Sequence, residues 1–183
     1  LRARTCLSTA AKTIEAKGFA SVDVFFQCGI AASTIKTRQR GLATELGRPL
    51  VYLEDGFIRS VDIGLSKEPG LSLILDDLTA YYDATQPSRL ENLLQSEEEV
   101  GEEKISRSRS AMDKIVKNRV SKYNHAPDIK LTIGTPGRKK VLLIDQRYGD
   151  QSVASGLGSD AAFDQMLRDA LRDCADCDIL IKQ

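Results

Sequence analysis

The sequence predicts an α/β fold in two strand–helix–strand halves, and three observations carry that prediction. The apolar run Leu50-Val51-Tyr52-Leu53 stops abruptly at Glu54-Asp55-Gly56-Phe57-Ile58-Arg59-Ser60. A second run, Val141-Leu142-Leu143-Ile144, stops in the same manner at Asp145-Gln146-Arg147-Tyr148-Gly149-Asp150-Gln151-Ser152-Val153. Helical spacing precedes the first run and follows the second. Four apolar residues can cross a buried parallel sheet, and open α/β sheets bind ligands just beyond the carboxyl ends of their strands. Glu54 and Asp55 are therefore expected at such a strand end. A structural alternative stands beside this: the acids open a solvated loop and Arg59 pairs with one of them.

Taken in order, Ala10 to Ala16 reads as a helix stopped near Gly18. Val22-Asp23-Val24-Phe25-Phe26 reads as a strand on its β-branched and aromatic content. Gly29 offers a turn into a helix that starts around Ser33 and ends near Gly47, and Leu50 to Leu53 completes a right-handed βαβ unit. Leu71 to Leu75 is a further apolar run, and Tyr81-Tyr82 is expected to be a short returning strand. Pro87-Ser88 opens a helix with Leu90, Leu93 and Leu94 on one face. Ile105, Met112, Ile115, Val116 and Val120 then continue the helical spacing.

Breakers crowd the stretch from Asn124 to Lys140, which suits a linker. The predicted organisation is thus residues 1–86, a first half; 87–123, bridging helices; 124–140, linker; and 141–183, the start of a second half. In that second half Asp160 or Ser159 caps a helix whose Phe163, Met166, Leu167, Ala170 and Leu171 share an apolar face. Gly156 and Gly158 leave room for close backbone approach. They lack the third glycine of a dinucleotide fingerprint, and no P-loop lysine or nucleophile elbow occurs.

Composition excludes several classes. Lys and Arg number 26 and Asp and Glu 26, so no global field draws the chain to nucleic acid or an anionic bilayer. The runs Glu97-Glu98-Glu99 and Arg107-Ser108-Arg109-Ser110 read as solvated helix faces. No apolar run approaches the ~20 residues that span a bilayer, and a cytoplasmic location is expected, at most peripheral at the inner face of the cytoplasmic membrane. Cys6, Cys28, Cys174 and Cys177 suit reduced thiols. Cys174 and Cys177 form a C-x-x-C without a second ligand pair, so no metal is expected. His125, the single histidine, falls in the linker and reads as a surface residue.

Five segments occur in a fixed order: Glu54 to Ser60, Leu71-Ser72-Leu73-Ile74-Leu75-Asp76, Tyr81-Tyr82-Asp83-Ala84, Ser121-Lys122-Tyr123-Asn124, and Gln146 to Ser152. On these the chain resembles the bacterial capsule polysaccharide family of β-Kdo transferases, the KpsC/LipB type, from about Gly29 to Gln183. The resemblance implies Rossmann-like halves of a GT-B-like glycosyltransferase and a retaining transfer of β-Kdo from CMP-Kdo to a lipid acceptor. That reaction would build the linker on which capsular polysaccharide is exported. It implies a nucleotide sugar and a lipid or glycan acceptor as partners, with capsule assembly and export proteins at the inner membrane, no nucleic acid and no cofactor. In the family the last strand runs into a His-Pro pair that helps to hold the nucleotide. Here the sequence stops at Ile181-Lys182-Gln183, so a truncated second half and an inactive fragment are expected.

Retaining transfer needs a nucleophile or stabiliser beneath the anomeric carbon and a group that manages the acceptor proton, and carboxylates suit both tasks. Asp150 is the candidate nucleophile, a position the family motif supports; Glu54 is the candidate acid/base. Asp150 can equally serve as an Asx-turn or helix cap. Arg59 and Arg147 carry forks matched to a carboxylate or phosphate, and either can instead form an ion pair. Gln146, Ser152 and Asp55 complete the candidate substrate-binding set, while Asp76 and Asp83 are assigned to the fold. The rival reading is a non-catalytic capsule export or assembly component with the same fold. A response-regulator-like domain fits less well, because no acidic cluster follows an initial strand.

Overall fold

A computed structural model describes residues 18, 21–63, 68–127 and 129–182. The helix expected over Ala10 to Ala16 lies outside them. The chain forms two compact units, the first running to Tyr81 and including Pro87–Asn124, the second comprising Tyr82–Gln86 and the chain from His125 onward.

In the first unit β1 (Phe25–Cys28), α1 (Thr34–Glu45) and β2 (Leu50–Asp55) make the expected βαβ unit, with β1 and β2 parallel in the register Phe25↔Leu50 to Cys28↔Leu53. The Ser33 hydroxyl caps α1 by accepting from the Lys36 amide at 3.2 Å. β1 begins later than Val22 because its pairing begins at Leu50, where the Phe25 amide donates to the Pro49 carbonyl at 2.9 Å. Phe25 and Gln27 face inward and Phe26 and Cys28 outward, the alternation a strand imposes. The Gln27 amide, 2 % exposed, donates to the Gly29 carbonyl at 2.8 Å, so its burial leaves no donor stranded.

β3 (Leu73–Asp76) adds to the other side of β2, antiparallel, pairing Glu54 with Ile74 and Asp55 with Leu73. This corrects one expectation: Glu54 and Asp55 are the last residues of β2 rather than the first beyond it. The extra pairing partner is what lengthens the strand. A second correction follows from Asp76, whose side chain is buried and accepts four amides. Oδ1 takes Leu78 at 2.9 Å and Thr79 at 3.2 Å; Oδ2 takes Arg89 at 2.8 Å and Leu90 at 3.3 Å. These bonds bend the chain away from the sheet directly after β3, and Tyr81-Tyr82 forms a turn, not a strand. They also tie α2 (Arg89–Gln95), capped by Ser88, to the sheet. Residues 87–123 therefore group with the first unit, including α3 (Glu102–Lys117). Glu97-Glu98-Glu99 precedes that helix rather than lying in one, while Arg107 and Arg109 are solvated on it.

In the second unit β4 (Lys140–Ile144) and β5 (Asp178–Lys182) are parallel, Lys140↔Asp178 to Ile144↔Lys182, with α4 (Gln151–Ser155) and α5 (Asp160–Asp173) in the crossover. Ser159 rather than Asp160 caps α5, accepting from the Ala162 amide at 3.2 Å. Phe163, Met166, Leu167 and Ala170 are half-buried, Leu171 is exposed, and α5 lies against β4, whose Leu143 is buried. The expected linker is anchored at its end. Asp178 accepts from Thr135, and the Arg138 guanidinium donates to the carbonyls of Asp176 at 2.7 Å and Ala175 at 2.8 Å.

Asp76→Asn replaces one carboxylate oxygen with a donor that faces backbone amides. The expected result is a loss of about 2–3 kcal/mol in urea unfolding, the scale of hydrogen bonds to a buried charged group. A loss within ~0.5 kcal/mol would show that these four bonds do not hold α2.

Candidate functional site

The five sequence segments collect into two clusters, one in each unit. The first is built on the loop from Gly56 to Ser60 at the end of β2. Its Gly56 amide donates to the Ser72 carbonyl at 3.0 Å, and the Ser72 hydroxyl donates to the Ile58 carbonyl at 2.5 Å. A Cβ on Gly56 would meet Ser72 Oγ at 2.1 Å and the Ser72 carbonyl carbon at 2.8 Å, so this glycine is required by close approach. The Leu71 amide donates to the Arg59 carbonyl at 2.7 Å. The residues after β2 and those before β3 thus form one packed corner.

Ser121 to Asn124 lies along the same loop. Tyr123 makes a parallel bridge with Ser60, and the Arg59 and Ser60 amides donate to the Lys122 carbonyl at 2.9 and 3.3 Å. Arg59 reaches Asp55 at 3.3 Å with its Nε and donates from Nη1 to Ser60 Oγ at 2.9 Å and to the Glu68 carbonyl at 3.1 Å. The Arg59 side chain is only 13 % exposed. Its guanidinium is therefore engaged with the loop itself, the ion-pair alternative of the sequence reading, and Asp55 is its partner. Glu54 is half-buried near the end of β2. Phe57 stands at the loop tip, 74 % exposed.

The second cluster is built on the turn after β4. The Asp145 amide donates to the Lys182 carbonyl at 2.9 Å, which fixes the start of the turn, and Gln146, Arg147 and Tyr148 that follow are exposed. The Asp150 amide donates to the Arg147 carbonyl at 3.0 Å, and Gly149 supplies the positive φ of 74° that this turn needs. Asp150 then caps α4. Its Oδ1 accepts from the Ser152 amide at 2.9 Å and from the Ser152 hydroxyl at 2.8 Å, while no hydrogen bond among the described residues falls on Oδ2. Those two bonds, the backbone one foremost, and the nearby positive charge of Arg147 hold the Asp150 carboxyl below its ordinary range against the opposing effect of burial.

Tyr82 and Ala84 join this cluster. The Ala84 amide donates to the Ser155 carbonyl at 2.8 Å, and a Cβ on Gly156 would meet the Ser152 carbonyl oxygen at 2.6 Å with the Tyr82 carbonyl at 3.8 Å. Gly158 is similarly close to Val153, at 3.1 Å. Asp83 accepts from the Thr85 amide at 3.1 Å and its hydroxyl at 2.6 Å, a local turn that agrees with a role in the fold. Glu54 and Asp150 belong to different units. Ser72 and Asn124 are the residues whose part in the first cluster the sequence reading did not assign; their membership in ordered motifs was the available signal. Cys28, Cys174 and Cys177 are free thiols, and the described residues contain no group of three or more His, Cys, Asp or Glu side chains able to hold a metal. No helix among them is long and apolar enough to cross a membrane.

Because the Asp150 carboxyl is depressed, its bonds to Ser152 contribute stability above the ordinary carboxylate range, and that contribution disappears as pH falls through the depressed value. Ser152→Ala removes the hydroxyl and keeps the amide. The expected NMR titration of Asp150 moves upward but stays below an ordinary aspartate. A titration identical to wild type would mean that the hydroxyl does not bond the carboxylate in solution.

The family model described as capsule polysaccharide biosynthesis protein matches residues 29–139. Two capsule polysaccharide modification proteins named LipA, from Neisseria meningitidis serogroup A and serogroup B strains, are 38 % and 36 % identical to the chain over 157 residues. The match takes in 84 % of this chain and 22 % of each LipA, so the chain spans about a fifth of the length of these relatives. Among solved structures, Thermosulfurimonas dismutans KpsC, a beta Kdo 2,4 transferase, superposes with a TM-score of 0.77 at 38 % identity over 87 % of this chain and 49 % of that one. The KpsC beta Kdo 2,7 transferase of the same organism superposes at a TM-score of 0.60 and 20 % identity, a likeness of fold. The chain belongs to the capsule polysaccharide biosynthesis protein family, in the KpsC/LipB type that its five motifs resemble.

Proposed function

We propose that the protein carrying this chain is a retaining β-Kdo glycosyltransferase that draws on CMP-Kdo to build the lipid-linked Kdo linker of capsular polysaccharide. The observation that carries this reading is the 38 % identity, sustained over 87 % of the chain, to a structure whose name is beta Kdo 2,4 transferase. A GT-B-like arrangement, a cytosolic setting at the inner face of the membrane and capsule export proteins as partners belong to the same proposal.

In this reading Asp150 is the nucleophile. One carboxylate oxygen forms a bond to the anomeric carbon of Kdo while the bond from that carbon to the CMP phosphate breaks, CMP leaving with the electron pair. The acceptor hydroxyl then attacks the same carbon, its proton passes to Glu54, and the Asp150 carboxylate departs, giving net retention. The Ser152 bonds support this role, since both fall on Oδ1 and keep the group ionised. Arg147 meets the donor's negative charge, Gln146 and Ser152 meet its hydroxyls, and the Asp55–Arg59 pair serves the substrate by holding the loop that follows Glu54. No cofactor enters these steps.

One observation favours the rival reading of a non-catalytic capsule export or assembly component: the bonds that Asp150 accepts are those of an ordinary helix cap. Asp150→Asn separates the two. In the full-length protein assayed with CMP-Kdo and lipid acceptors, turnover with retained configuration is expected, and the Asn variant should lose at least ~10³-fold. Glu54→Gln should lose roughly 10²-fold. A correctly folded Asp150→Asn protein with wild-type turnover would leave the nucleophile unassigned, and no transfer by the wild type would favour the export component.

A further inference from the structure

α3 ends in a manner that its sequence does not favour. The Arg119 amide donates to the Val116 carbonyl at 3.1 Å and the Val120 amide to the Ile115 carbonyl at 3.0 Å, the paired bonds of a Schellman stop. Such a stop needs a left-handed residue, usually glycine, and here Arg119 occupies it at φ 52°. A non-glycine residue is held there at some cost, so the direction in which the chain leaves α3 is enforced by its surroundings.

That direction carries Ser121 to Asn124 onto the loop that follows Glu54. Asn124 uses its amide side chain three ways: Oδ1 accepts from the Ser121 amide at 2.8 Å, and Nδ2 donates to the Ser60 carbonyl at 3.2 Å and the Ser121 carbonyl at 2.9 Å. Its backbone amide donates to the Val61 carbonyl at 2.6 Å. Lys122 supplies the acceptor for the amides of Arg59 and Ser60, and its ammonium lies 5.8 Å from the Tyr123 ring centroid. Ser60 at the centre of this arrangement is 2 % exposed, and its hydroxyl donates to the Asp62 carbonyl at 2.5 Å.

We infer that Ser121 to Asn124 is a strap that positions the Gly56–Ser60 loop, which follows Glu54 at the end of β2, for transfer, with Asn124 as its positioning residue. The inference rests on the proposed acid/base role of Glu54. An amide side chain suits the task because it alone offers an acceptor to Ser121 and donors to two carbonyls at once. A carboxylate at this position would turn an acceptor on the Ser60 and Ser121 carbonyls.

Amide hydrogen exchange on this chain tests the strap without reference to any reaction. In Asn124→Asp the amides of Arg59 and Ser60 are expected to exchange at least ~10-fold faster while those of β1 and α1 keep their wild-type protection. Gln165→Ala serves as a control, since Gln165 donates to Asp169 Oδ1 at 2.8 Å on α5 of the second unit and should leave Arg59 and Ser60 unchanged. Asn124→Ser, which keeps an acceptor for Ser121 and loses the reach to Ser60, should fall between the two. In the full-length protein, Asn124→Asp should lower kcat about tenfold or more with the KM for CMP-Kdo within about twofold. Unchanged exchange at Arg59 and Ser60 in a folded Asn124→Asp chain overturns the strap. Faster exchange with unchanged kcat overturns its positioning role. A wild-type protein with no transfer at all overturns the proposed function and, with it, the positioning role, while the exchange data still decide whether the strap exists.

Discussion

A loop that leaves the end of a strand and turns toward the interior must find acceptors for amides that no longer have a ladder. In the first unit that requirement organises the whole corner around Glu54. The Gly56 amide goes to Ser72, those of Arg59 and Ser60 go to Lys122, and the Ser60 hydroxyl is turned inward to the Asp62 carbonyl. Among the described residues no buried side-chain nitrogen or oxygen lacks a hydrogen-bond partner. Since an unpaired buried polar group costs about 1–3 kcal/mol, each of these contacts constrains where its neighbour can be. The consequence is a loop fixed by two separate stretches of chain, around Ser72 and Lys122, directly after the ladder in which Glu54 pairs with Ile74.

The same logic, with different parts, shapes the second unit. There the turn after β4 is short and exposed, so it is fixed locally: a glycine at φ 74°, an aspartate cap, and two further glycines where α4 meets its own carbonyls. The first cluster is held mainly by contacts far apart in sequence; in the second, Asp145 and Ala84 make distant bonds to Lys182 and Ser155, while the turn around Asp150 is held by contacts within about a turn. Rigidity of the first is therefore sensitive to residues such as Asn124 that touch no substrate in the proposed reaction. The second is sensitive mainly to Gly149, Asp150 and Ser152.

This difference also explains what the sequence could show. Local signals were legible: Ser33, Ser88 and Ser159 are caps, Gly29 closes β1, and the apolar runs at Leu50 and Val141 are parallel strands flanked by helices. The direction of β3 was not, because a four-residue apolar run fits either polarity and carries no record of its partner. Tyr81-Tyr82 looked like a strand on β-propensity alone, and the four amides gathered by Asp76 overrode it. The contact of Asn124 with Ser60 spans 64 residues, and no local pattern announces such a bond. The motif order signalled that these residues matter together without revealing how.

Asp150 shows how a structural and a chemical reading of one residue can coexist. A cap requires one acceptor, and a carboxylate has two oxygens. With both Ser152 bonds on Oδ1, the anion is stabilised and its orientation fixed, yet Oδ2 takes no bond from the described residues. Stabilising an anion makes it a weaker nucleophile, so these bonds act in two directions on a covalent step. In the proposed reaction they would lower its intrinsic reactivity while keeping it ionised and fixed in orientation. For a displacement in which a phosphate-bearing group departs, a carboxylate that also leaves readily in the second half serves both steps. In the proposed reaction the depressed carboxyl of Asp150 would favour that departure, so the helix cap and the proposed nucleophile are compatible roles of one residue.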